Sequence, residues 1–172
     1  MPVESASWGF ASALRQYAAG VALLCVRDDI DDVGTTVTSV MSVSTEPPLV
    51  ALSLTTDGYP LEVLESVGSA ALTFLAAEHE IVASRFASAG RPSARHLLET
   101  VPWRRAEHSG GIVLERGVAA LDCRVDRLVA AGDHTVVLLE VLAVPVLEET
   151  REPLLRLRGR WTDGTGRAFR RT

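Results

Sequence analysis

The chain has 172 residues, 47 % of them hydrophobic and 23 % charged, the ordinary range for a folded domain with one core. A formal net charge of -5 argues against nucleic-acid binding by bulk electrostatics, and no apolar run approaches the roughly 20 residues that a membrane-spanning helix needs. All 17 basic residues are arginine, and lysine and asparagine are absent.

The opening MPVESASWGF lacks the basic and apolar regions of a signal peptide. Ser7 is a candidate N-cap for a helix to about Ala19, with Phe10, Leu14 and Tyr17 on one face and Gly20 as its stop. Val21–Arg27 (VALLCVR) has the composition of a buried strand. The acidic DDIDDVG that follows is a hairpin-like connection. Its four aspartates could attract a divalent cation, but such a run is ordinarily a solvated turn.

Gly34–Leu54 (GTTVTSVMSVSTEPPLVALSL) is the most distinctive stretch. At period 2, Thr36, Thr38, Val40, Ser42 and Ser44 fall on one face of a strand. Hydroxyl-rich strands occur simply as solvent-facing surface. Short hydroxyls also let a planar, hydrogen-bonding ligand approach the main chain where larger side chains would block it. Pro47-Pro48 interrupts the ladder, LVALSL follows as an apolar strand, and TTDGYP as a loop.

Further along, Leu61–Val67 reads as a short helix, Ala70–Leu75 as a strand and Glu78–Ala87 as a helix carrying Ile81, Val82, Arg85 and Phe86. Gly90–Ser109 is irregular or weakly helical. The rest is β in character: Ile112–Leu114, Ala119–Val129, Thr135–Val144 and an edge strand at Pro153–Leu157, with Ala130–His134 as a hairpin loop. Many strands without βαβ alternation predict a mainly β protein with flanking helices, a barrel rather than a doubly wound sheet. No repeat or linker divides the chain, so one domain over 1–172 is expected, with its core at about 10–161 and a mobile basic tail, RAFRRT.

Cys25 and Cys123 lie in apolar runs, and no CxxC or Cys/His cluster has metal-ligand spacing. Buried, reduced thiols, a cytoplasmic location and no metal are the expectation. No nucleophile–base pair and no Rossmann glycine fingerprint is present.

GTTVTSVMSVSTEPPLV resembles the signature of the flavin reductase family of FMN-binding split barrels, roughly G-x-T-x-S-S-x-x-S-V-S-x-x-P-P-L. Thr36 falls on its threonine and Thr38 and Ser39 on its two serines, while Ser42, Val43, Ser44, Pro47 and Pro48 match directly. AAGVALL, SRFAS (Ser84–Ser88), Leu121-Asp122-Cys123, Gly132-Asp133-His134 and Pro153-Leu154-Leu155 extend the resemblance from Phe10 to about Trp161. It implies a Greek-key split β-barrel, a homodimer, and hydride transfer from NADH or NADPH to FMN or FAD, with reduced flavin passed to a flavin-dependent monooxygenase. A flavin carrier without nicotinamide turnover, or a split-barrel oxidoreductase acting on another substrate, are the alternatives.

The resemblance also implies the site. Thr36, Thr38 and Ser39, with Val40, Ser44 and Ser53 on the same stretch, would contact the flavin ring and ribityl chain. The loop Thr55–Tyr59 would receive the phosphate through Thr55, Thr56 and Gly58. Asp57-Gly58 stands where the family commonly carries two serines, and Asp57 would repel a phosphate unless turned away. Arg85 would be the counter-charge and Phe86 either core or ligand-facing. His134 would orient the nicotinamide as a donor or a stacking surface. His79, His96 and His108 have no such support and are expected at the surface; Trp103, between arginines, either packs there or meets nucleotide phosphates.

Overall fold

A computed structural model of the chain describes residues 4–29, 31–88, 90 and 92–165; the tail RAFRRT and Ile30 lie outside the described residues. Helix α1 (Glu4–Leu14) leads into β1 (Ala19–Gly20), β2 (Ala22–Arg27), β3 (Asp32–Val37), β4 (Met41–Thr45) and β5 (Pro48–Thr55). Helix α2 (Tyr59–Val67), β6 (Ser69–Phe74) and a 3-10 turn (Ala77–His79) follow, and the turn continues into α3 (Glu80–Phe86). Helix α4 (Ala94–Leu97), β7 (Trp103–Arg105), β8 (Ile112–Leu114), β9 (Ala119–Ala131), β10 (His134–Leu147), β11 (Leu155–Leu157) and β12 (Arg160–Thr162) complete the chain.

The main sheet has seven strands in the order β3-β2-β6-β9-β10-β5-β4, and its pairings are antiparallel. Its two edge strands, β3 and β4, are consecutive in the chain, joined only by Thr38-Ser39-Val40. A three-residue link spans about 14 Å at most, so the sheet must curl until its edges meet. Val37 from one end and Leu52 and Leu54 from near the other share one core cluster, as curling requires. The result is a barrel with an unpaired seam, matching the expected split-barrel class. The Gly34–Leu54 stretch is thus not a single strand followed by a proline break. Thr38–Val40 interrupts it, and a register shift between Ser42 and Ser44 ends the simple alternation of faces.

Strand β2 explains the unbroken apolar run read from the sequence. Ala22, Leu24 and Val26 face the barrel interior, while Leu23 and Cys25 face outward into a second cluster beneath α3, α4 and β8. A strand covered on both faces has no polar side to alternate with. Each fully buried leucine contributes about 1.5–3 kcal/mol relative to exposure. Helix α2 starts at Gly58 with Pro60 in its first turn and ends at Gly68, left-handed at φ 73°, whose N–H donates to the Leu64 carbonyl. Leu61, Val63 and Leu64 anchor it in the interior cluster.

Two sequence expectations are corrected here. The aspartates after β2 do not form a wholly solvated turn: Asp32 is 2 % exposed. Arg105 of β7 grips both its oxygens, one at 2.8 Å, and Arg95 of α4 reaches it at 3.0 Å, so the carboxylate ties β3 to elements more than 60 residues away. Asp31 pairs with Ser93 and Arg95, and these contacts, the Ser93 hydroxyl foremost, hold its carboxyl below the usual range. Secondly, His79 is buried, not a surface residue. Its Nδ1 accepts the Ala76 N–H at 3.2 Å, and burial lowers its pKa. The first helix also begins earlier than expected and ends at Leu14, leaving Phe10, Leu14 and Tyr17 exposed.

Replacing Asp32 by Asn removes the charge that both guanidinium groups share. Stability by urea denaturation is expected to fall by about 1–3 kcal/mol, the scale of a lost charged hydrogen-bond network with half-exposed partners. A change within about 0.5 kcal/mol would show that the cluster does not hold β7 and α4 to the barrel.

Candidate functional site

A cavity of about 560 Å³ opens at the seam. Its floor is the end of β3 and the link beyond it, from Thr35 to Ser39. One wall is β5, through Ser53, Leu54 and Thr55, and another is the start of α2, through Gly58, Pro60 and Leu61. Ala87, just past α3, and His134, at the head of β10, close the rim.

Each wall is held by contacts that follow from its position at the seam. Beta-strand β5 pairs with β4 only as far as Ala51, so the outward N–H and C=O of Ser53 have no ladder partner. Ser39 Oγ accepts that N–H at 2.9 Å and donates to that carbonyl at 3.3 Å. Thr36 Oγ1 donates to the Ala83 carbonyl of α3 at 2.8 Å, pinning the floor to the outer helix. At Gly34 any Cβ would collide with the ring of Phe86, so only glycine lets α3 pack this close to β3.

His134 is presented by a two-residue hairpin loop, Gly132-Asp133, in which Gly132 takes φ 71° as the first residue of a type II′ turn. The Thr56 N–H donates to the Asp133 carbonyl at 3.0 Å, and Thr56 and Thr135 hydroxyls meet at 3.1 Å, which fixes the hairpin tip against the β5–α2 loop. His134 Nδ1 lies 2.8 Å from Asp133 Oδ1. The carboxylate accepts, so Nδ1 carries the proton and Nε2 is left for a ligand. That hydrogen bond, with the charge of His134, lowers the Asp133 pKa.

Of the residues expected in the site, Thr36, Thr38, Ser39, Ser53, Thr55, Gly58 and His134 line this cavity together. The others lie elsewhere. Val40 packs against the interior core. Ser44 Oγ accepts the Glu46 N–H at 3.2 Å in the β4–β5 turn. Thr56 serves the hairpin contact just described. Arg85 is exposed on α3 and donates to the Leu97 carbonyl at 3.4 Å, and Phe86 is fully buried core. Arg104 and Arg105 beside Trp103 are engaged by the Pro145 carbonyl and by Asp32. The lining also includes Thr35, Val37, Leu54, Pro60, Leu61 and Ala87, which sequence reasoning passed over. Pro60 could have been found from its place just after the loop; for Ala87 the residue type gives no signal.

The lining carries hydroxyls, main-chain groups, apolar side chains and one imidazole, and no carboxylate, thiol or guanidinium. Such a surface can receive a planar heterocycle and hydrogen-bond its edge, and the volume lies in the range of small-molecule and cofactor sites. It contains no nucleophile–base pair, so the chemistry it suits is carried by what it binds.

A family profile described as "Flavin reductase like domain" matches residues 14–165. The chain is 32 % identical over 153 residues to the NADH-dependent FMN reductase of Streptomyces nodosus subsp. asukaensis, covering 89 % of this chain and 82 % of that one. It is 35 % identical over 145 residues to the reductase component of 4-hydroxyphenylacetate 3-monooxygenase of Thermus thermophilus, covering 81 % and 85 %. The solved structure of the Streptomyces globisporus NADH:FAD oxidoreductase in complex with NAD and FAD fragments superposes with a TM-score of 0.84 at 28 % identity, over 94 % of each chain.

Ser39→Ala would leave Ser53 without partners at the seam and loosen the cavity floor. FMN affinity, read by protein fluorescence titration, is expected to weaken about three- to tenfold, the worth of one or two neutral hydrogen bonds. Unchanged affinity would mean the bridge does not shape the site.

Proposed function

The chain belongs to the flavin reductase like domain family, and we propose that it is an NADH-dependent flavin reductase supplying reduced FMN or FAD to a partner monooxygenase. The observation that carries this reading is the seam cavity itself, a neutral, hydroxyl-lined slot with His134 at its rim. Bound flavin supplies the hydride-accepting chemistry. The residues of the chain have the simpler tasks of binding and orientation.

Thr36, Thr38, Ser39 and Ser53, with the main chain between them, would hold the ring and ribityl chain, and the turn Thr55–Gly58 at the start of α2 would meet the phosphate. The N-terminal end of a helix favours an anion there. Gly58 lines the cavity and Asp57 does not, which supports a phosphate being received at this turn. His134, with Nδ1 held by Asp133, would accept the carboxamide N–H of a nicotinamide through Nε2. With Arg85 outside the lining, the flavin has no arginine clamp in this cavity, which suits a flavin that leaves after reduction. The buried Cys25 and Cys123, the latter with its thiol pushed up to about 12, require no oxidising compartment and accord with a cytoplasmic enzyme.

The homodimer is part of the same proposal. Met41 and Val43 on edge strand β4 are 59 % and 43 % exposed, an apolar edge that monomers ordinarily protect. A second copy would cover it. Met41→Glu is expected to shift the protein toward monomer in light scattering at micromolar concentration; an unchanged mass would place any interface elsewhere.

Anaerobic stopped-flow absorbance tests the activity. Protein with FMN or FAD, mixed with NADH, should bleach the oxidised flavin band. His134→Ala is expected to raise the NADH KM about tenfold with a smaller effect on kcat, the worth of one positioned hydrogen bond. Flavin that binds and stays oxidised would instead favour the carrier reading.

A further inference from the structure

Strand β10 opens with His134 and Thr135 and then runs apolar from Val136 to Leu139. Thr135 is only 6 % exposed, a hydroxyl at a buried strand position whose neighbours are valines and leucines. Valine has nearly the same shape and is buried without the cost of withdrawing a hydroxyl from water. What offsets that cost here is a hydrogen bond to Thr56 Oγ1 at 3.1 Å, 79 residues away in the chain.

The bond lies where two segments of chain part. Strands β5 and β10 pair Leu54 with Thr135 and Thr55 with His134. One step further the same register sets Thr56 opposite Asp133, and the Thr56 N–H donates to the Asp133 carbonyl at 3.0 Å. Beyond this rung the β10 side turns back into β9, and the β5 side turns into α2. The second turn is closed by the Gly58 N–H, which donates to the Thr55 carbonyl at 3.0 Å, and Gly58 is the N-cap of α2. A closed turn moves as a unit, so whatever fixes Thr56 fixes Gly58 as well. Neither Thr56 nor Thr135 lines the seam cavity, whereas their neighbours Thr55, Gly58 and His134 do.

We propose that Thr135 is a positioning residue for both ligands of the seam cavity while touching neither. Through Thr56 it holds the turn that receives the flavin phosphate, and through one peptide bond it holds His134 toward the nicotinamide. The inference rests on the reductase reading. A single rung at the end of a strand pair leaves the two turns free to pivot about it. The hydroxyl bridge is a second point of attachment, and two points fix an orientation where one does not. The branched Cβ of threonine, stiff at χ1, keeps the hydroxyl aimed. Thr56 is exposed, so in a Thr135→Val variant its hydroxyl turns to water and no buried polar group is stranded. That variant removes the bridge and little else.

Thr135→Val and Thr135→Ser are to be compared with wild type, and Thr135→Val also in a His134→Ala background. FMN and riboflavin affinities are titrated by protein fluorescence, since riboflavin carries the same ring without the phosphate. Steady-state rates at saturating FMN give the NADH KM and kcat, and NMR reads the ring chemical shifts of His134 in the flavin-free protein. Thr135→Val is expected to weaken FMN about three- to tenfold, the worth of one neutral hydrogen bond, and to leave riboflavin affinity unchanged. The NADH KM should rise by a similar factor with a smaller effect on kcat, and the His134 ring shifts should move. Thr135→Ser keeps the hydroxyl and should restore wild-type values. In the His134→Ala background, Thr135→Val should raise the NADH KM no further, because the effect passes through His134. Equal weakening of FMN and riboflavin would overturn the proposal, as would a KM effect that adds to that of His134→Ala. Unchanged affinities and KM with a lowered melting temperature would overturn it too and leave Thr135 a stabilising residue alone. A wild type that binds FMN and oxidises no NADH would sink the reductase reading. The clasp would then still stand on a loss confined to FMN with moved His134 shifts, and fall without them.

Discussion

Beyond Ala51 the outer edge of β5 runs past the start of β4, and the N–H and C=O of Ser53 would face open space but for Ser39 Oγ, which meets both. A single hydroxyl stands in for the next rung of a ladder. The rest of the site depends on that substitution. Had another strand residue continued the pairing, the seam would have closed and left no room between β3 and β5. Had nothing met Ser53, a strand edge would have been left bare, which costs about as much as a lost hydrogen bond for each group and invites pairing with other chains. Serine is small enough to do this and leave the slot open.

The opposite constraint comes from outside the barrel. Because β2 is buried on both faces, the layer of α3, α4 and β8 is as firmly part of the core as the barrel interior. That layer sets where the floor of the cavity lies. Phe86 fills the space that Gly34 vacates, and Thr36 is bonded to the α3 backbone. Asp32 at the start of the same strand is locked by Arg105 and Arg95. Strand β3 is therefore held along its length by the outer layer, and only its last residues and the link to β4 face the cavity. A rigid support with a short open margin is what a site needs to hold rings at a fixed spacing.

Much of this was legible in the sequence. The burial of β2 showed in VALLCV, the hairpin in Gly132-Asp133-His134, and part of the cavity lining in the small hydroxyls of Thr36, Thr38 and Ser39. What misled was the use of period 2 across Gly34–Leu54. Alternation assumes an unbroken strand, and the curl of the sheet breaks it at Thr38–Val40. Arg85 and Phe86 show the same limit from another side. They are adjacent in sequence but a helix turns them about 100° apart, so one is buried under β3 and the other reaches Leu97. The aspartate run concealed a buried member because its partners, Arg95 and Arg105, are more than 60 residues distant, and no local pattern encodes such a pair. His79 was misplaced for a similar reason: burial depends on the β11 side of the fold closing over the turn after β6, where Ala77 N–H meets the Glu152 carbonyl.

The distribution of charge gives the arrangement its logic. The lining of the seam cavity holds no carboxylate or guanidinium, whereas Arg15, Arg156 and Arg158 line the cavity that adjoins it. Reduction places negative charge on a flavin, and fixed cations against the ring would hold the reduced form more tightly than the oxidised one. An enzyme that must release reduced flavin gains nothing from such a grip, because binding energy realised in the product slows its departure. Hydroxyls and main-chain groups, which hydrogen-bond either redox form, position the ring without that bias. The strong electrostatic contacts are better placed on a part of a ligand whose charge does not change in the reaction. Phosphates are such a part, and contacts to them are worth the same before and after hydride transfer, leaving the neutral cavity to set geometry alone.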